Sequence, residues 1–169
     1  VALVGLGWDI KQYDSGSDYD LDASIFLLDS SGKCAHDSDF IFYNNLSSGG
    51  VTHSGDNRTG EGEGDDESVT IEFDKIPAYV EKIAVTVTIY DAVARAQNFG
   101  QVQNAFVRLV DKHSGEDLIR LELGEDYSTE TAIVFAEVYR HNGEWKFSAV
   151  GSGFNGGLEA LCRQYGLSV

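Results

Sequence analysis

The residues with the clearest chemical potential lie in a short segment, residues 55–67, where carboxylates and glycines are closely interleaved. Beside a single cation, Arg58, the segment holds six carboxylates: Asp56, Glu61, Glu63, Asp65, Asp66 and Glu67. It has little apolar surface to bury, and its like charges repel one another. Ca²⁺ takes about 6–8 oxygen ligands, and glycine lets the backbone turn its carbonyls inward. The pattern therefore favours a loop that closes around a hard cation over a solvated acidic loop.

The segment is not an EF-hand, although its length invites the comparison. Asp56 and Glu67 stand at the first and twelfth positions of that template. Arg58 falls where the third-position oxygen ligand belongs, and Glu61 falls where the turn glycine belongs. The flanking residues have the pattern of strands rather than helices. Loop binding of a cation remains, and a crowded, flexible set of carboxylates suits Ca²⁺ better than Mg²⁺.

A second acidic pattern precedes the first long apolar run. Asp18, Asp20 and Asp22 alternate with Tyr19 and Leu21. In an extended segment the three aspartates share one face. Three carboxylates on one edge repel unless a positive charge lies among them, so this edge is a second candidate source of cation ligands.

Other catalytic patterns are poorly supported. His36 and His53 are expected to be exposed loop residues rather than bases or ligands. No Gly-x-Ser-x-Gly elbow and no His-Glu-x-x-His motif occurs. Cys34 and Cys162 lie far apart and predict neither a disulfide framework nor a zinc site. The glycines at 151, 153 and 156 match a dinucleotide-binding spacing without a following βαβ unit, so we expect a flexible turn that docks the last helix.

The composition of the chain disfavours some classes of binding partner and favours others. The chain has 169 residues, which predicts one domain, and 28 acidic residues against 12 Lys and Arg give a formal net charge of −16. That charge argues against nucleic acid and against anionic lipid, and it favours cations or a basic protein partner. No apolar run approaches the ~18 residues of a membrane span, and no signal peptide is evident, so we expect a cytoplasmic protein without membrane insertion.

Hydrophobic periodicity predicts a mainly β protein, an antiparallel β-sandwich with a few short helices. Asn142-Gly143 is a strong hairpin signal, and residues 158–165 are expected to form a closing helix that stops at Gly166. A further short helix is expected at 91–97. The predicted strands are residues 1–8, 23–28, 40–43, 68–74, 82–90, 105–110, 118–123, 131–140 and 145–150.

Long motifs along the whole chain resemble the TerD family of tellurium-resistance proteins. The residues that carry the resemblance are 5–9, 20–24, 39–46, 55–67, 97–102, 130–132 and 142–147. Family members usually carry an extra N-terminal segment before the motif at 5–9. We therefore expect that the family's N-terminal segment is missing from residues 1–169.

The resemblance implies a calcium-binding β-sandwich without enzymatic activity, with a role in bacterial resistance to tellurite, phage and pore-forming colicins. It implies more than one Ca²⁺ ion, and protein partners in a stress-response complex. The positions that match the family's metal motif are Asp20, Asp22, Asn44, Asn45, Asp56, Asn57, Gly60, Gly62, Asp65, Asp66 and Glu67.

Three functions follow as hypotheses. The first is a calcium-dependent sensor or scaffold. The second is a metal-dependent hydrolase that uses the carboxylate cluster, which would need an open metal position facing a concave pocket. The third is an acidic interaction module without a metal. Direct chemistry on tellurite is disfavoured, because two distant cysteines predict no dithiol and the negative charge repels an oxyanion.

Overall fold

The chain folds into two antiparallel sheets. The computed structural model describes residues 2–7, 21–42, 45–53, 67–89, 106–111, 114–122, 131–142, 144–154 and 157–167. These residues form one α-helix, α1 (Gly157–Gln164), short 3₁₀ turns at Asp37–Asp39 and Phe73–Lys75, and eleven strands. The strands are β1 (Ala2–Gly7), β2 (Leu21–Leu28), β3 (Phe40–Ile41), β4 (Ser47–Ser48), β5 (Val51–His53), β6 (Glu67–Ile71), β7 (Lys82–Ile89), β8 (Phe106–Asp111), β9 (Asp117–Glu122), β10 (Ala132–His141) and β11 (Glu144–Phe154).

The first sheet has the strand order β4-β5-β6-β1-β8-β9, and the second has the order β11-β10-β7-β2-β3. Every strand pair is antiparallel. This confirms the predicted mainly β, antiparallel sandwich.

The core between the sheets follows from strict alternation along the central strands. In β7, the β-branched residues Ile83, Val85, Val87 and Ile89 all join this core, as their period of two requires. On the neighbouring β2, Leu21, Ala23, Ile25 and Leu27 do the same. The residues between them therefore lie on the outer face of the second sheet.

Helix α1 covers part of that outer face. Phe26 and Leu28 of β2 pack there with Leu161, Cys162 and Tyr165 of the helix end. The helix ends at Gln164, and Gly166 follows it with a φ of 81°. Glycine adopts this left-handed conformation easily. The predicted closing helix and its stop are confirmed.

A β-bulge changes the register in the middle of β10. Against β7, Val134 pairs with Thr86 and Ala136 with Val85, so Phe135 is the extra residue. Phe135 and Ala136 consequently both face the core between the sheets, and the strand bends there.

The same region corrects the expected glycine turn before the last helix. Gly151 and Gly153 lie inside β11, and Gly153 pairs with Ile133 of β10 rather than forming a turn. Gly151 has a φ of 70°, which fits the irregular register that β11 shows at this point. The predicted turn at 151–153 is therefore wrong, since the strand runs on to Phe154; Gly156 lies outside the described residues.

One other expectation needs correction, and one is confirmed. The strand predicted at 40–43 ends at Ile41, and Phe42 and Asn45 then exchange backbone hydrogen bonds of 3.1 and 2.9 Å. Trp145 is half-buried and packs against the core between the sheets, with its ring under the Arg140 guanidinium at 4.3 Å. The hairpin after His141 is confirmed by its pairing with Glu144. The helix expected at 91–97 lies outside the described residues.

Candidate cation site at the ends of the acidic segment

Strands β5 and β6 flank the acidic segment on its two sides. They pair antiparallel, with Val51 opposite Ile71 and His53 opposite Val69. The chain leaves β5 at His53 and re-enters the sheet at Glu67. The expectation that strands rather than helices flank the segment is confirmed. Residues 54–66 lie outside the described part of the chain.

A buried polar cluster joins these two strand ends to the opposite sheet. Glu67 Oε2 accepts a hydrogen bond of 3.0 Å from the Ala23 amide of β2. His53 Nε2 lies 3.1 Å from the Ala23 carbonyl oxygen and 3.6 Å from Glu67 Oε2. A carbonyl oxygen only accepts, so Nε2 carries the ring hydrogen and donates it. The side chains of His53 and Glu67 are both fully buried.

The cluster exists because β3 is short. On β2 the pairing with β3 covers only Ile25 and Phe26. Ala23 lies two residues before Ile25, so its N–H and C=O face the same side, beyond the described end of β3. Buried peptide groups need hydrogen-bond partners. Glu67 and His53 supply both partners and thus replace the missing length of β3.

Asp22 lies beside this cluster but on the other face of β2. It is 1% exposed and shares the alternation of Phe26 and Leu28, which pack on the outer face. Ser24 follows it on that face, and its buried hydroxyl has no hydrogen-bond partner among the described residues. Asp22 is thus the direct sequence neighbour of Ala23, whose amide donates to the Glu67 carboxylate.

Asn45, one of the predicted metal ligands, also makes hydrogen bonds to nearby backbone. Its amide Nδ2 donates to the carbonyl oxygen of Phe40 at 2.8 Å and approaches that of Ser38 at 3.4 Å. These contacts hold Asn45 against the backbone at the start of β3. The side-chain nitrogen of Asn45 faces the Phe40 carbonyl. Its side-chain oxygen, which is the atom that a cation would require, therefore points away from that carbonyl.

Three of the predicted metal ligands therefore lie in described parts of the structure: Asp22, Asn45 and Glu67. The remaining ones lie outside it, and their contribution stays a prediction: Asp20, Asn44, Asp56, Asn57, Gly60, Gly62, Asp65 and Asp66. Among the described residues alone, no three His, Cys, Asp or Glu side chains cluster closely enough to hold a metal. A cation site here would thus need ligands from outside the described part of the chain.

The expectation that His53 is an exposed loop residue is wrong. It ends β5 and is 3% exposed, whereas His36 is exposed as predicted. The signal for His53 was present in the alternation Val51-Thr52-His53, whose first and third residues are buried and whose second is exposed.

The two thiols are closer than their sequence separation suggests. Cys162 lies in the apolar cluster under α1, and Cys34 packs against that cluster. Burial, followed by the negative charge of Asp39, raises the pKa of the Cys34 thiol to about 12. Burial, followed by Glu159, raises the pKa of Cys162 to about 11. Both thiols are protonated at neutral pH, so thiolate chemistry is disfavoured.

A concave groove of about 460 Å³ lies elsewhere. It opens at the end of β2 remote from Asp22, and its cations are engaged: Lys82 Nζ lies 3.0 Å from Glu137 Oε2, and Arg140 Nε donates to the Val80 carbonyl at 2.7 Å. The groove is lined by Asp29, Ser30, Gly32, Glu81, Lys82, Glu137, Tyr139, Arg140 and Ser148.

Within the described part of the chain, no helix is both long and apolar enough to cross a membrane.

Comparison with known proteins points to one family. A sequence model of the TerD domain matches residues 1–165. Tellurium resistance protein TerD of Serratia marcescens is 61% identical over 168 residues, which are 98% of this chain and 87% of that protein. General stress protein 16U of Bacillus subtilis (strain 168) is 60% identical over 169 residues, which are 99% of this chain and 88% of that protein.

A solved structure shares the fold. It is described as a homologue of telluride resistance protein (TerD) from Streptomyces coelicolor A3(2), and it superposes with a TM-score of 0.82 at 24% identity. The match covers 95% of this chain and 93% of that one.

Proposed function

The chain belongs to the TerD family, and from that membership we propose that it is a calcium-binding, non-enzymatic sensor or scaffold in bacterial stress response. The relatives carry the names tellurium resistance protein and general stress protein. By analogy with those names, we place its role in tellurite resistance and the general stress response. The cation would order the acidic segment and thereby create a surface for a protein partner.

The observation that carries the calcium proposal is the run of carboxylates that leads directly into β6. Glu67, the first residue of β6, is 1% exposed and anchors the end of this run in the sandwich through its hydrogen bond from the Ala23 amide. Residues 54–66 add five more carboxylates directly before Glu67 and supply one cation, Arg58. A divalent ion would offset this excess of negative charge.

The chemistry of the donor set suits a hard cation. Asp22 and Glu67 offer carboxylate oxygens and Asn45 offers an amide oxygen, the ligand types that Ca²⁺ prefers. Soft ligands are remote, because the two thiols lie under α1 at the other end of β2 and are protonated. Asp56, Asp65 and Asp66 are the candidates for the remaining charged ligands.

A non-enzymatic role is part of the proposal. It is supported by the thiols, whose raised pKa values disfavour nucleophilic chemistry, and by the groove, which lies at the opposite end of β2 from Asp22. A sensor needs only that one conformation binds the cation more tightly than the other.

The proposal is tested by calcium titration of the full chain, followed by calorimetry and by amide chemical shifts. We expect saturable binding, with the largest shifts at Asp22, Ala23 and Glu67 and in residues 54–66. The double variant Asp65→Asn with Asp66→Asn should bind more weakly. Unchanged spectra up to millimolar calcium, or equal melting temperatures with calcium and with chelator, would contradict the proposal.

A further inference from the structure

Strand β11 is a long edge strand with little protection against pairing with another strand. Among the described strands, β4 and β9 end the first sheet, and β11 and β3 end the second. Strands β3 and β4 have two residues each, and β9 has six residues of which three are charged: Asp117, Arg120 and Glu122. Short or charged edge strands resist pairing with other chains. Strand β11 has eleven residues and two charges, Glu144 and Lys146, both at its start.

The open hydrogen-bonding groups of β11 belong to alternate residues. The Arg140 amide donates to the Glu81 carbonyl at 3.0 Å, so the peptide groups of Arg140 face away from β11. Trp145 lies opposite Arg140, and opposite residues of an antiparallel pair turn their peptide groups either toward each other or both away. The N–H and C=O of Trp145 therefore point out of the sheet at its edge. The alternation of the strand extends this to Phe147 and Ala149.

The side chains along this edge form an exposed apolar patch. The rings of Trp145 and Phe147 lie 5.4 and 6.0 Å from the ring of Phe73. Phe147 is 38% exposed and Val150 is 36% exposed, and Ala149 between them is exposed as well. An apolar patch beside unpaired peptide groups is typical of a surface that binds another protein strand.

We propose that β11 pairs with β11 of a second copy of the chain, in antiparallel orientation around a two-fold axis at Phe147. The two five-stranded sheets then join into one continuous sheet. This contact uses the same edge in both copies, and the other described edges are short or charged, so assembly ends at the dimer. The dimer does not depend on calcium binding.

Charge favours a second copy as the occupant of this edge. The chain has a formal net charge of −16, so two copies repel each other over much of their surface. In β11, Glu144 and Lys146 cancel and form an exposed ion pair of 3.4 Å. Residues 147–154 carry no charge. A basic partner finds no carboxylate in this stretch, whereas two copies meet here without opposing like charges.

A bulge in β11 limits the stretch that can pair. Val150 and Gly151 lie together opposite Phe135, because the register with β10 shifts at this point. A bulge of this kind bends the strand. The straight part of β11 is therefore residues 144–149, and the pairing must be centred within it.

The two-fold axis at Phe147 satisfies this limit. It places Trp145 opposite Ala149 of the second copy, and Lys146 opposite Ser148. The two Phe147 rings then face each other across the axis, and aromatic cross-strand pairs are stabilising. An axis at Lys146 would set two lysines opposite each other, and an axis at Ser148 would bring the bulge into the pairing.

Opposite charges at position 147 test this pairing directly. In Phe147→Lys or Phe147→Glu alone, two like charges face each other at the axis, which destabilises the pair. In an equimolar mixture of the two variants, a lysine faces a glutamate, and the mixed dimer should form. Leu118→Lys is the matched control, because Leu118 is 42% exposed on the charged edge strand β9.

A second variant, Ala149→Pro, tests the backbone without a change of charge. The N–H of Ala149 points out of the sheet, so proline removes an edge donor and leaves the hydrogen bonds to β10 in place. All variants are made in the full chain and checked for native circular dichroism.

Sedimentation equilibrium in chelator measures the dimer, at about 0.15 M salt to screen the remaining charge. Across about 1 μM to 1 mM protein, a range that covers weak complexes, the wild type should shift from the mass of one chain toward that of two. Leu118→Lys should match it. Phe147→Lys, Phe147→Glu and Ala149→Pro should each dimerise about 10-fold more weakly or worse, and the mixture of the two charged variants should recover the dimer.

Each outcome decides the proposal. Wild-type protein that stays a single chain up to about 1 mM overturns it, and leaves the edge to a strand of a different protein. A dimer of wild-type strength in any folded edge variant places the interface elsewhere and also overturns it. If Ala149→Pro does not fold, the mixture decides, since a mixture that recovers no dimer overturns the pairing at Phe147. If the charged variants do not fold, loss of the dimer in Ala149→Pro supports the pairing.

Discussion

The amide of Ala23 donates a 3.0 Å hydrogen bond to Oε2 of Glu67, across the two sheets and 44 positions of sequence. The carbonyl of the same residue meets His53 Nε2 at 3.1 Å. The backbone N–H and C=O of one residue of β2 are thus both engaged by side chains, at the place where the acidic segment enters and leaves the fold. The stability of the sandwich and the geometry of the candidate site are linked through this contact.

Replacing Glu67 by alanine should destabilise the protein even without calcium. The substitution leaves the buried Ala23 amide without its acceptor, and an unsatisfied buried donor costs about 1–3 kcal/mol. Urea unfolding in chelator measures the loss. Glu72→Ala is the matched control: the Glu72 side chain forms an exposed ion pair with Lys75, and its removal should change the free energy of unfolding by about 0.5 kcal/mol or less. Equal losses in the two variants would show that the Ala23 contact contributes little.

Replacing Asp22 by asparagine should reduce the gain in melting temperature that calcium produces. The variant removes one charge from the candidate ligand set with little change in shape, and ligand charge is a main determinant of calcium affinity. Melting curves with calcium and with chelator give the difference for each protein. Asp74→Asn is the control, since Asp74 is exposed in the 3₁₀ turn after β6. A calcium-dependent gain in Asp22→Asn as large as that of the wild type would remove Asp22 from the site.

The thiols should make the protein sensitive to alkaline pH. Burial raises the pKa of Cys34 to about 12, that of Cys162 to about 11 and that of Tyr165 to about 12. In the unfolded chain these groups lose their protons at lower pH, about 8.5 for cysteine and about 10 for tyrosine. The stabilisation from keeping them protonated is therefore complete below about pH 8.5 and lost as pH rises toward 11–12.

Two measurements check this dependence. The free energy of unfolding should fall steadily between about pH 8.5 and 11, and the Cys34→Ser, Cys162→Ser double variant should show a shallower slope. Alkylation of the native thiols at pH 8 should be slower than in denaturant by on the order of 10²-fold or more, because so little thiolate is present. Rapid labelling of the native protein at pH 8 would contradict the assignment.

Gly50 should tolerate no side chain. Its φ is +87°, and a Cβ built there would lie 2.8 Å from the carbonyl oxygen of Glu72, a backbone atom that is itself held by the Lys75 amide at 3.0 Å in the 3₁₀ turn. Gly50→Ala should therefore cost about 2 kcal/mol or more, from the left-handed conformation and from the collision. Gly32→Ala is the control, since Gly32 has a similar φ of +80° with open space around its Cβ position. Its cost should be only the ~1 kcal/mol of the backbone conformation.

Much of the fold was predictable because the signals that set it are local. The alternation of Ile83, Val85, Val87 and Ile89 marks a strand with one buried face wherever it occurs, and all four join the core. Asn142 turns the β10–β11 hairpin with a φ of 51°, and Gly166 ends the helix, as their residue types predict. The placement of the acidic segment between two strands followed from the same periodicity.

Only the tertiary structure decided which distant residues meet. His53 is buried where it meets the Ala23 carbonyl of β2, beyond the described end of β3 and 30 positions away in sequence. Cys34 and Cys162 approach each other because α1 folds back onto the outer face of β2. The bulge at Phe135 and the continuation of β11 through Gly151 depend on the register of three adjacent strands. Local sequence determines the period of each strand, but register and sheet packing are set by many distant contacts at once, and so the hydrogen bond between Ala23 and Glu67 could not be found along the chain.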